Sequence, residues 1–352
     1  MVILTVVGTR PQFVKAAVVS RALRKCHREI LVHTGQHYDE EMSALFFREL
    51  DLPEPDHRLG VGSGSHAEQT GQMLMGVETV MVQEKPDLVL VYGDTNSTLA
   101  GALAAAKLCI PLAHVESGCR SYDRGMPEEI NRVVTDHLSS LLFCPTARAV
   151  TNLAKEGITE NVHQVGDVML DLLLEQRPNA ASSSKILEAL GLAPGTYLVV
   201  TIHRAHNTDR PDRMAAILEA LNTLGEPVVF PVHPRTRRVV VQLHHRVNPF
   251  VQLIDPVGYL DMLMLMSHAR MVLTDSGGVQ REAFFLGIPC LTLRETTEWG
   301  ETIDAGWNLL VGLDRDAILR AVRSWRPAGA PPTRLFGDGR AAERIAAVLG
   351  NG

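Results

Sequence analysis

The segment Leu273–Glu282, with the sequence LTDSGGVQRE, contains the residues best suited to bind a phosphorylated ligand. An apolar run before it predicts a buried strand, and its second half predicts the start of a helix. Ser276, Gly277 and Gly278 let the backbone approach a ligand closely, and the first N–H groups of a helix lack partners within it. We therefore predict a diphosphate site, with Glu282 accepting hydrogen bonds from ribose hydroxyls. The alternative is an ordinary helix cap, where Asp and Ser are favoured.

Three basic side chains are candidates for contacts with the same ligand. Arg10 and Lys15 flank the start of a helix predicted over Pro11–Leu23, so both are expected to meet a phosphate there. His233 is expected to donate a hydrogen bond to a phosphate or to a uracil carbonyl. The alternatives are an exposed helix lysine for Lys15 and a packed loop histidine for His233.

Three carboxylates are candidates for proton transfer. Asp94 and Glu116 each follow an apolar strand, where a carboxylate is half desolvated, and Glu128 follows a proline at a helix start. Burial and mutual repulsion set the pKa values of such groups, as acid–base catalysis requires. The alternatives are a turn aspartate that caps a helix for Asp94 and an ordinary helix pair with Arg132 for Glu128. Glutamate is a poor turn residue, so an ordinary structural role explains Glu116 less well than it explains the other two carboxylates.

Several other chemistries are disfavoured by the motifs. His203 and His206 have no acidic or cysteine ligand nearby in sequence, so no metal site is predicted. The first predicted strand is not followed by Gly-x-Gly-x-x-Gly, which argues against NAD, and we expect no cofactor. Ser117 lacks the Gly-x-Ser-x-Gly context of a serine hydrolase.

Composition narrows the class of protein further. The chain has 352 residues, 45% of them hydrophobic, and a formal net charge of −6 with acids and bases interspersed, so two domains fit and nucleic acid is not an expected partner. No apolar run approaches the ~20 residues that span a bilayer. The first residues lack a basic leader and predict a strand rather than a signal peptide. The five cysteines share no Cys-x-x-Cys spacing, which is typical of reduced thiols, and we expect a cytoplasmic protein.

Short apolar runs alternate with helical patterns along the whole chain, which predicts parallel sheets flanked by helices. The strands predicted in the first half are Val2–Val7, Ile30–His33, Leu88–Tyr92, Leu112–Val115, Leu141–Phe143 and Val162–Val165. Those predicted in the second half are Tyr197–Ile202, Val228–Phe230, Phe250–Ile254, Met271–Leu273, Cys290–Leu293 and Leu309–Val311.

This alternation predicts an α/β fold of two Rossmann-like domains that face a cleft. We place the N-terminal domain at residues 1–170 and the C-terminal domain at 171–337, with a last helix at 338–350 that packs back on the first domain. Residues Gln176–Ser184 have the composition of a linker. Polar residues directly follow most predicted strands, where ligands bind in open α/β sheets.

An ordered set of motifs resembles the non-hydrolysing UDP-N-acetylglucosamine 2-epimerases over about residues 1–312. These motifs are Gly8-Thr-Arg-Pro-Gln, Thr34-Gly-Gln-His, Gly93-Asp-Thr-Asn-Ser-Thr, His114-Val-Glu-Ser-Gly, Pro127-Glu-Glu-Ile-Asn-Arg, His203-Arg, Pro231-Val-His-Pro, Asp275-Ser-Gly-Gly-Val-Gln-Arg-Glu and Arg294-Glu-Thr-Thr-Glu. The resemblance implies the glycosyltransferase-B architecture and interconversion of UDP-GlcNAc and UDP-ManNAc for polysaccharide biosynthesis. It implies that UDP is eliminated to leave 2-acetamidoglucal and then returns.

The resemblance also assigns roles to individual residues. By motif, Asp94, Glu116, Glu128 and His203 would be catalytic. The residues that would hold the UDP-sugar are Arg10, Lys15, His233, Ser276, Gly277, Gly278 and Glu282. A homodimer is implied by the resemblance alone.

Two departures from the family pattern bear on substrate and regulation. Many members have a basic residue where this chain has Trp299, and relatives with tryptophan there include epimerases of diacetamido-glucuronate sugars. Members that a second UDP-GlcNAc activates carry an Arg-Gln pair where this chain has Ser63 and Gly64. Gln36 and His37, which could take part in such regulation, are present.

Three alternatives remain open at this stage. A glycosyltransferase of the same architecture would bind UDP in the same way but would require an acceptor. A hydrolytic epimerase would release free ManNAc. A nucleotide-sugar sensor would bind without turnover.

Overall fold

The computed structural model describes residues 1–36, 40–232, 234–242, 247–332 and 334–350. The chain divides into two compact units: unit 1 comprises Met1–Leu174 and Thr333–Gly352, and unit 2 comprises Glu175–Pro332. Each unit contains a parallel sheet, of seven strands in unit 1 and six in unit 2, with helices between the strands. The prediction of an α/β fold is therefore confirmed.

Strands and helices alternate along most of the chain. The strands are β1 Val2–Val7, β2 Arg28–His33, β3 His57–Arg58, β4 Leu88–Tyr92, β5 Leu112–Val115, β6 Leu141–Cys144, β7 Val162–Gln164, β8 Leu198–Thr201, β9 Val228–Pro231, β10 Val251–Ile254, β11 Met271–Thr274, β12 Cys290–Thr292 and β13 Asn308–Leu310. The helices are α1 Arg10–Leu23, α2 Glu40–Glu49, α3 His66–Glu84, α4 Asn96–Lys107, α5 Pro127–Leu138, α6 Ala147–Lys155, α7 Val168–Ser183, α8 Ile186–Ala189, α9 Ala205–Thr208, α10 Pro211–Thr223, α11 Pro234–Gln242, α12 Tyr259–Ser267, α13 Gly277–Leu286, α14 Gly300–Asp304, α15 Arg315–Ser324 and α16 Ala341–Gly350.

The strand order of each sheet defines where a ligand has room to bind. Unit 1 has the order β3-β2-β1-β4-β5-β6-β7, and unit 2 has the order β10-β9-β8-β11-β12-β13. The order reverses between β1 and β4, and between β8 and β11. Loops leave such neighbouring strands in opposite directions, which opens a crevice at their carboxyl ends. The segments after these four strands are therefore candidates for ligand contacts within each unit.

The predicted strands are confirmed to within one or two residues, and the central strands of each sheet are apolar runs that are buried on both faces. In β4 all five residues are buried, and in β11 all four are. The two-residue strand β3 was not predicted. Its residues, His57 and Arg58, have no apolar pattern, and it pairs only with the end of β2 at the edge of the sheet.

The prediction that Gln176–Ser184 is a linker is wrong. Helix α7 continues through this segment to Ser183, although Pro178 lies inside it and removes one helical hydrogen bond. Gln176 and Ala180 are buried, so tertiary packing stabilises a helix that the composition alone disfavours.

The C-terminal residues belong to unit 1. The backbone N–H of Asp167 donates to the carbonyl of Phe336 at 2.8 Å, and the N–H of Ala342, at the start of α16, donates to the carboxylate of Asp171 at 2.7 Å. Helix α16 packs against α1 in the same unit. Within the described ranges, no helix combines the length and the apolar character that crossing a bilayer requires.

Candidate active site

The most deeply buried ion pair of the predicted site in unit 1 joins Lys15 and Glu116. Lys15 lies on α1 and Glu116 directly follows β5, and the ammonium donates to the carboxylate at 2.7 Å. The side chains are 5% and 9% exposed. The alternative of an exposed helix lysine is therefore wrong. Contact of Lys15 with a phosphate stays a prediction.

This ion pair lies against Gly93, the residue that precedes Asp94. A Cβ atom at Gly93 would be 2.8 Å from the ammonium nitrogen of Lys15 and 3.4 Å from Oε1 of Glu116. Gly93 has a φ of +62°, which glycine adopts at little cost. The close approach of the two strand ends therefore requires glycine at this position and brings Asp94 and Glu116 to one part of unit 1.

The backbone of Glu116 is held in the left-handed region, with a φ of +75°. This conformation costs a non-glycine residue about 1 kcal/mol or more, and it persists only where the surroundings enforce it. The N–H groups of Glu116 and Ser117 both donate to the carbonyl of Phe143, at 3.0 and 3.1 Å, and the Ser117 hydroxyl donates to the carbonyl of His114 at 2.6 Å. Such strain is typical of functional residues.

Asp94 is the more accessible carboxylate, with a side chain that is 25% exposed. It forms an ion pair with Arg132 of α5, whose guanidinium also donates to the buried Glu129 at 2.9 Å. Asn131 donates to the main-chain carbonyl of Asp94 at 2.9 Å. The N-cap of α4 is Thr95, so the alternative in which Asp94 caps this helix is wrong.

The two adjacent glutamates at the start of α5 have different environments. Glu129 is 1% exposed and accepts hydrogen bonds from the backbone N–H groups of Ser121 and Tyr122, both at 2.9 Å. It fixes the preceding loop, a role that the sequence did not reveal. Glu128 is partly exposed in the first helical turn, where the helix dipole favours a negative charge.

A cavity of about 370 Å³ opens beside this helix start. Its lining includes His66 of α3, Asn96 of α4, and Pro127 and Asn131 of α5. A volume of a few hundred Å³ suits a sugar-sized ligand. The amides of Asn96 and Asn131 are joined by a hydrogen bond of 3.2 Å.

The remaining predicted residues of unit 1 lie near the carboxyl ends of β1 and β2. Arg10 is the first residue of α1, and its guanidinium lies 5.9 Å from the ring centroid of Phe46. Gln36 accepts hydrogen bonds from the N–H and the hydroxyl of Ser97, at 3.0 and 2.7 Å. His37 lies outside the described residues.

A buried His–Asp pair that sequence reasoning missed lies behind the two carboxylate turns. His114 on β5 contacts Asp136 of α5 through Nδ1 at 2.7 Å and the carbonyl of Gly93 through Nε2 at 2.7 Å. Burial alone would raise the pKa of Asp136, but the hydrogen bonds and charges of His114 and Arg120 hold that pKa below its usual value. The apolar run of β5 gave no sign that His114 has a buried acidic partner.

In unit 2, Asp275 organises the loop that carries His203. Asp275 is fully buried and accepts hydrogen bonds from the backbone N–H groups of His203 and Arg204, both at 3.1 Å, and from the amide of Asn207 at 3.0 Å. Nδ1 of His203 lies 3.2 Å from the same carboxylate, while the ring is 55% exposed. Burial would raise the pKa of Asp275, yet its bonds with His203 and Asn207 lower it. The carboxylate therefore orients an accessible imidazole.

Helix α13 begins at Gly277, directly after the predicted anion-binding turn. Ser276 is the N-cap, and its side chain accepts a hydrogen bond from the N–H of Val279. A Cβ atom at Gly277 would lie 2.4 Å from Oε1 of Glu298 and 2.9 Å from Nε1 of Trp299. A side chain at Gly277 would therefore have to displace Glu298 or Trp299, and close approach of a ligand to this glycine stays a prediction.

Two arginines accompany Glu298 beside this helix start. Arg294 donates to Glu298 at 2.9 Å, and Arg204 lies 3.6 Å from it. One acidic and two basic side chains therefore lie beside the start of α13.

Trp299 covers a third arginine, Arg281, which lies on α13. The guanidinium of Arg281 lies 3.7 Å from the ring centroid of Trp299, and both residues are buried. Glu282 is also buried, at 6% exposure. Its contact with ribose stays a prediction. His233 lies outside the described residues. In the part of the chain that the structure describes, no three His, Cys, Asp or Glu side chains are grouped to hold a metal ion.

Comparison with known proteins agrees with this arrangement of two parallel sheets. The sequence model of the UDP-N-acetylglucosamine 2-epimerases matches residues 21–350. The chain belongs to this family, which confirms the resemblance seen in the sequence and the prediction of an enzyme.

Individual relatives cover the whole chain. A UDP-2,3-diacetamido-2,3-dideoxy-D-glucuronate 2-epimerase of Pseudomonas aeruginosa is 50% identical over 99% of both chains. A UDP-N-acetylglucosamine 2-epimerase homolog of Methanococcus maripaludis is 50% identical over 100% of both. The crystal structure of the Methanocaldococcus jannaschii UDP-GlcNAc 2-epimerase, in complex with UDP-GlcNAc and UDP, is 42% identical with a TM-score of 0.90, covering 100% of this chain and 99% of that one.

Proposed function

We propose that this enzyme inverts C2 of UDP-N-acetylglucosamine reversibly, giving UDP-N-acetylmannosamine, by elimination and re-addition of UDP. The observation that carries the proposal is the pair of carboxylates after the neighbouring strands β4 and β5, each held by a buried cation. Asp94 is paired with Arg132, and Glu116 with Lys15. The M. jannaschii relative bound to UDP-GlcNAc and UDP supports the choice of ligand.

The chemistry explains why such carboxylates are needed. The C2 proton of a nucleotide sugar has no neighbouring carbonyl and is not acidic. It can leave only as the C1–O bond breaks, with the bonding electrons passing to the departing β-phosphate oxygen of UDP. A carboxylate accepts the proton and 2-acetamidoglucal remains. Return of UDP to C1 and of a proton to the other face of C2 completes the inversion.

Negative charge develops on the departing diphosphate, and positively charged groups that are already positioned beside it stabilise that charge. We propose that the residues that hold the UDP-sugar are Arg10, Lys15, His233, Ser276, Gly277, Gly278 and Glu282. The start of α13 and its neighbouring arginines support this assignment, because they provide N–H groups and positive charge for phosphate oxygens.

We propose that Asp94 is the leading acid–base group at C2. Its partial exposure makes it reachable, while its ion pair with Arg132 fixes its direction. Glu116 and Glu128 assist in proton transfer, and His203 acts near the phosphates. The buried contact of His203 with Asp275 supports a defined orientation of that ring.

A second candidate substrate is UDP-2,3-diacetamido-glucuronate. The P. aeruginosa relative named for that activity is 50% identical, whereas the M. jannaschii UDP-N-acetylglucosamine 2-epimerase is 43% identical. The resemblance places Trp299 where many members have a basic residue, and relatives with tryptophan there include epimerases of diacetamido-glucuronate sugars. The acetamido and carboxylate groups of this sugar would require additional polar contacts.

One assay separates the candidates. The protein is incubated with each UDP-sugar alone, and the sugar products are followed by NMR. Conversion of UDP-GlcNAc to UDP-ManNAc supports the proposal. Faster conversion of the diacetamido-glucuronate sugar would identify that sugar as the preferred substrate. Free ManNAc indicates a hydrolytic epimerase. No change without an added acceptor indicates a transferase or a sensor and contradicts the proposal.

Two further properties stay predictions. A homodimer is expected, and light scattering after size exclusion would measure it. Regulation through Gln36 and His37 would show as activation of UDP-ManNAc turnover by added UDP-GlcNAc.

A further inference from the structure

His114 links the two backbone turns that carry the proposed acid–base groups. The side chain is fully buried at the centre of unit 1, on β5. One ring nitrogen contacts the carboxylate of Asp136 and the other contacts the carbonyl of Gly93, each at 2.7 Å. His114 makes these contacts from behind the turns.

The partners of the two ring nitrogens define the protonation of the ring. A carbonyl oxygen only accepts hydrogen bonds, and an ionised carboxylate does the same. Nε2 must therefore donate to Gly93 and Nδ1 must donate to Asp136. A neutral imidazole has a single N–H, so a ring that satisfies both contacts carries two protons and a positive charge.

The surrounding charges balance this buried cation. Asp136 also pairs with Arg120 at 2.7 Å, and both side chains are fully buried. Arg120 in turn donates to both carboxylate oxygens of Glu156, each at 2.8 Å. Two cations and two anions thus alternate along one network, which makes the buried charges compatible with a stable fold.

The network fixes two backbone turns at once. Through Gly93 it holds the turn that precedes Asp94. Through Asp136, whose second oxygen accepts from the N–H of Gly118 at 3.0 Å, it holds the end of the turn that contains the strained Glu116. A change in the imidazole would therefore alter the positions of both proposed carboxylates together.

We propose that His114 is a positioning residue for the reaction, acting as a buried imidazolium that sets the distance between the Asp94 turn and the Glu116 turn. The proposal rests on the proposed C2 epimerisation. His114 acts through Gly93 and Asp136, and it is not assigned to proton transfer with the substrate.

Two amide substitutions separate the contacts of the ring. In His114→Gln the amide nitrogen takes the place of Nε2 and keeps the bond to Gly93. In His114→Asn it takes the place of Nδ1 and keeps the bond to Asp136. Both remove the charge and both leave a buried amide, so they are matched for a purely structural effect.

The expected result is a split between kcat and KM. Misplacement of reacting groups by about 1 Å costs roughly 100-fold in rate. Each substitution breaks one of the two links, so both His114→Asn and His114→Gln should lose kcat, by up to about 100-fold, with little change in KM. A wild-type kcat in either variant, or losses that follow the melting temperature, would overturn the positioning role.

A second measurement does not depend on activity. Nitrogen NMR of histidine-labelled wild-type protein near neutral pH should show both ring nitrogens of His114 protonated. A single protonated nitrogen would contradict the inference even if both variants failed to fold. Absence of epimerisation by the wild-type protein, with a doubly protonated His114, would instead contradict only the proposed function.

Discussion

The guanidinium of Arg281 lies over Trp299, 3.7 Å from the ring centroid, and its Nε donates to the carbonyl of Gly277 at 3.5 Å. A desolvated cation–π contact contributes about 2 kcal/mol. The ring therefore compensates part of the cost of burying Arg281. A basic residue in place of Trp299 would instead put a second positive charge beside Arg281.

We predict that Trp299→Arg lowers the thermal unfolding midpoint, and that adding Arg281→Glu restores much of the loss. Like charges repel in the single variant and opposite charges attract in the double variant. Trp299→Phe, which keeps an aromatic face, is the control and should have a smaller effect. Additive effects of the two substitutions would contradict the coupling.

Lys15 is predicted to be required for the stability of unit 1. Lys15→Met leaves the carboxylate of Glu116 buried without its ammonium, which costs about 3 kcal/mol or more. The melting temperature should fall clearly, and the double variant with Glu116→Gln should recover part of the loss. Lys107→Met, at an exposed end of α4, is the matched control. Equal melting temperatures for the two single lysine variants would show that the ion pair contributes nothing.

Acid stability is predicted to depend on His33. Burial, with a smaller effect from Arg58, lowers the pKa of His33 from 6.5 to about 4. Between these values the unfolded chain binds a proton at His33 and the folded chain does not, so stability falls as the pH drops through this window. His33→Phe, which can keep the stacking on Phe13, should show a shallower decline in melting temperature from pH 6.5 to 4. An unchanged slope would contradict the assignment.

Gly277 is predicted to tolerate no side chain. In Gly277→Ala the new Cβ meets Glu298, so the carboxylate and its arginine partners must shift. We expect KM for the UDP-sugar and Kd for UDP to rise by about tenfold or more, which corresponds to about 1.4 kcal/mol. Gly71→Ala in α3, where a Cβ meets nothing within 4 Å, is the control and should be neutral or slightly stabilising. Unchanged UDP binding in Gly277→Ala would contradict the close approach.

The sequence predicted the parts of the fold that depend on local patterns. Strands such as Val2–Val7 and Leu112–Val115 are continuous apolar runs, and their bounds are confirmed. The continuation of α7 past Pro178 was not predictable, because the burial of Gln176 and Ala180 is not visible in the local sequence.

The same distinction applies to the site. Asp94, Glu116 and the turn at Ser276 could be proposed from sequence because polar residues after apolar strands are conspicuous. The contacts that hold them were not found. Lys15 and Glu116 are 101 residues apart in sequence, and His114 lies inside an apolar run, so only the packing of the sheet shows their partners. Neighbouring acids such as Glu128 and Glu129 differ in burial, which sequence spacing cannot show.

The most direct test of the account is the entry of solvent deuterium at C2. Wild-type protein and UDP-GlcNAc are incubated in heavy water, and C2 is followed by proton NMR beside an Asp94→Asn variant that still binds UDP. We predict that the epimer formed carries deuterium at C2, and that the variant exchanges at least about 100-fold more slowly. Epimer without deuterium, or near-normal exchange in Asp94→Asn, would contradict proton transfer by this carboxylate.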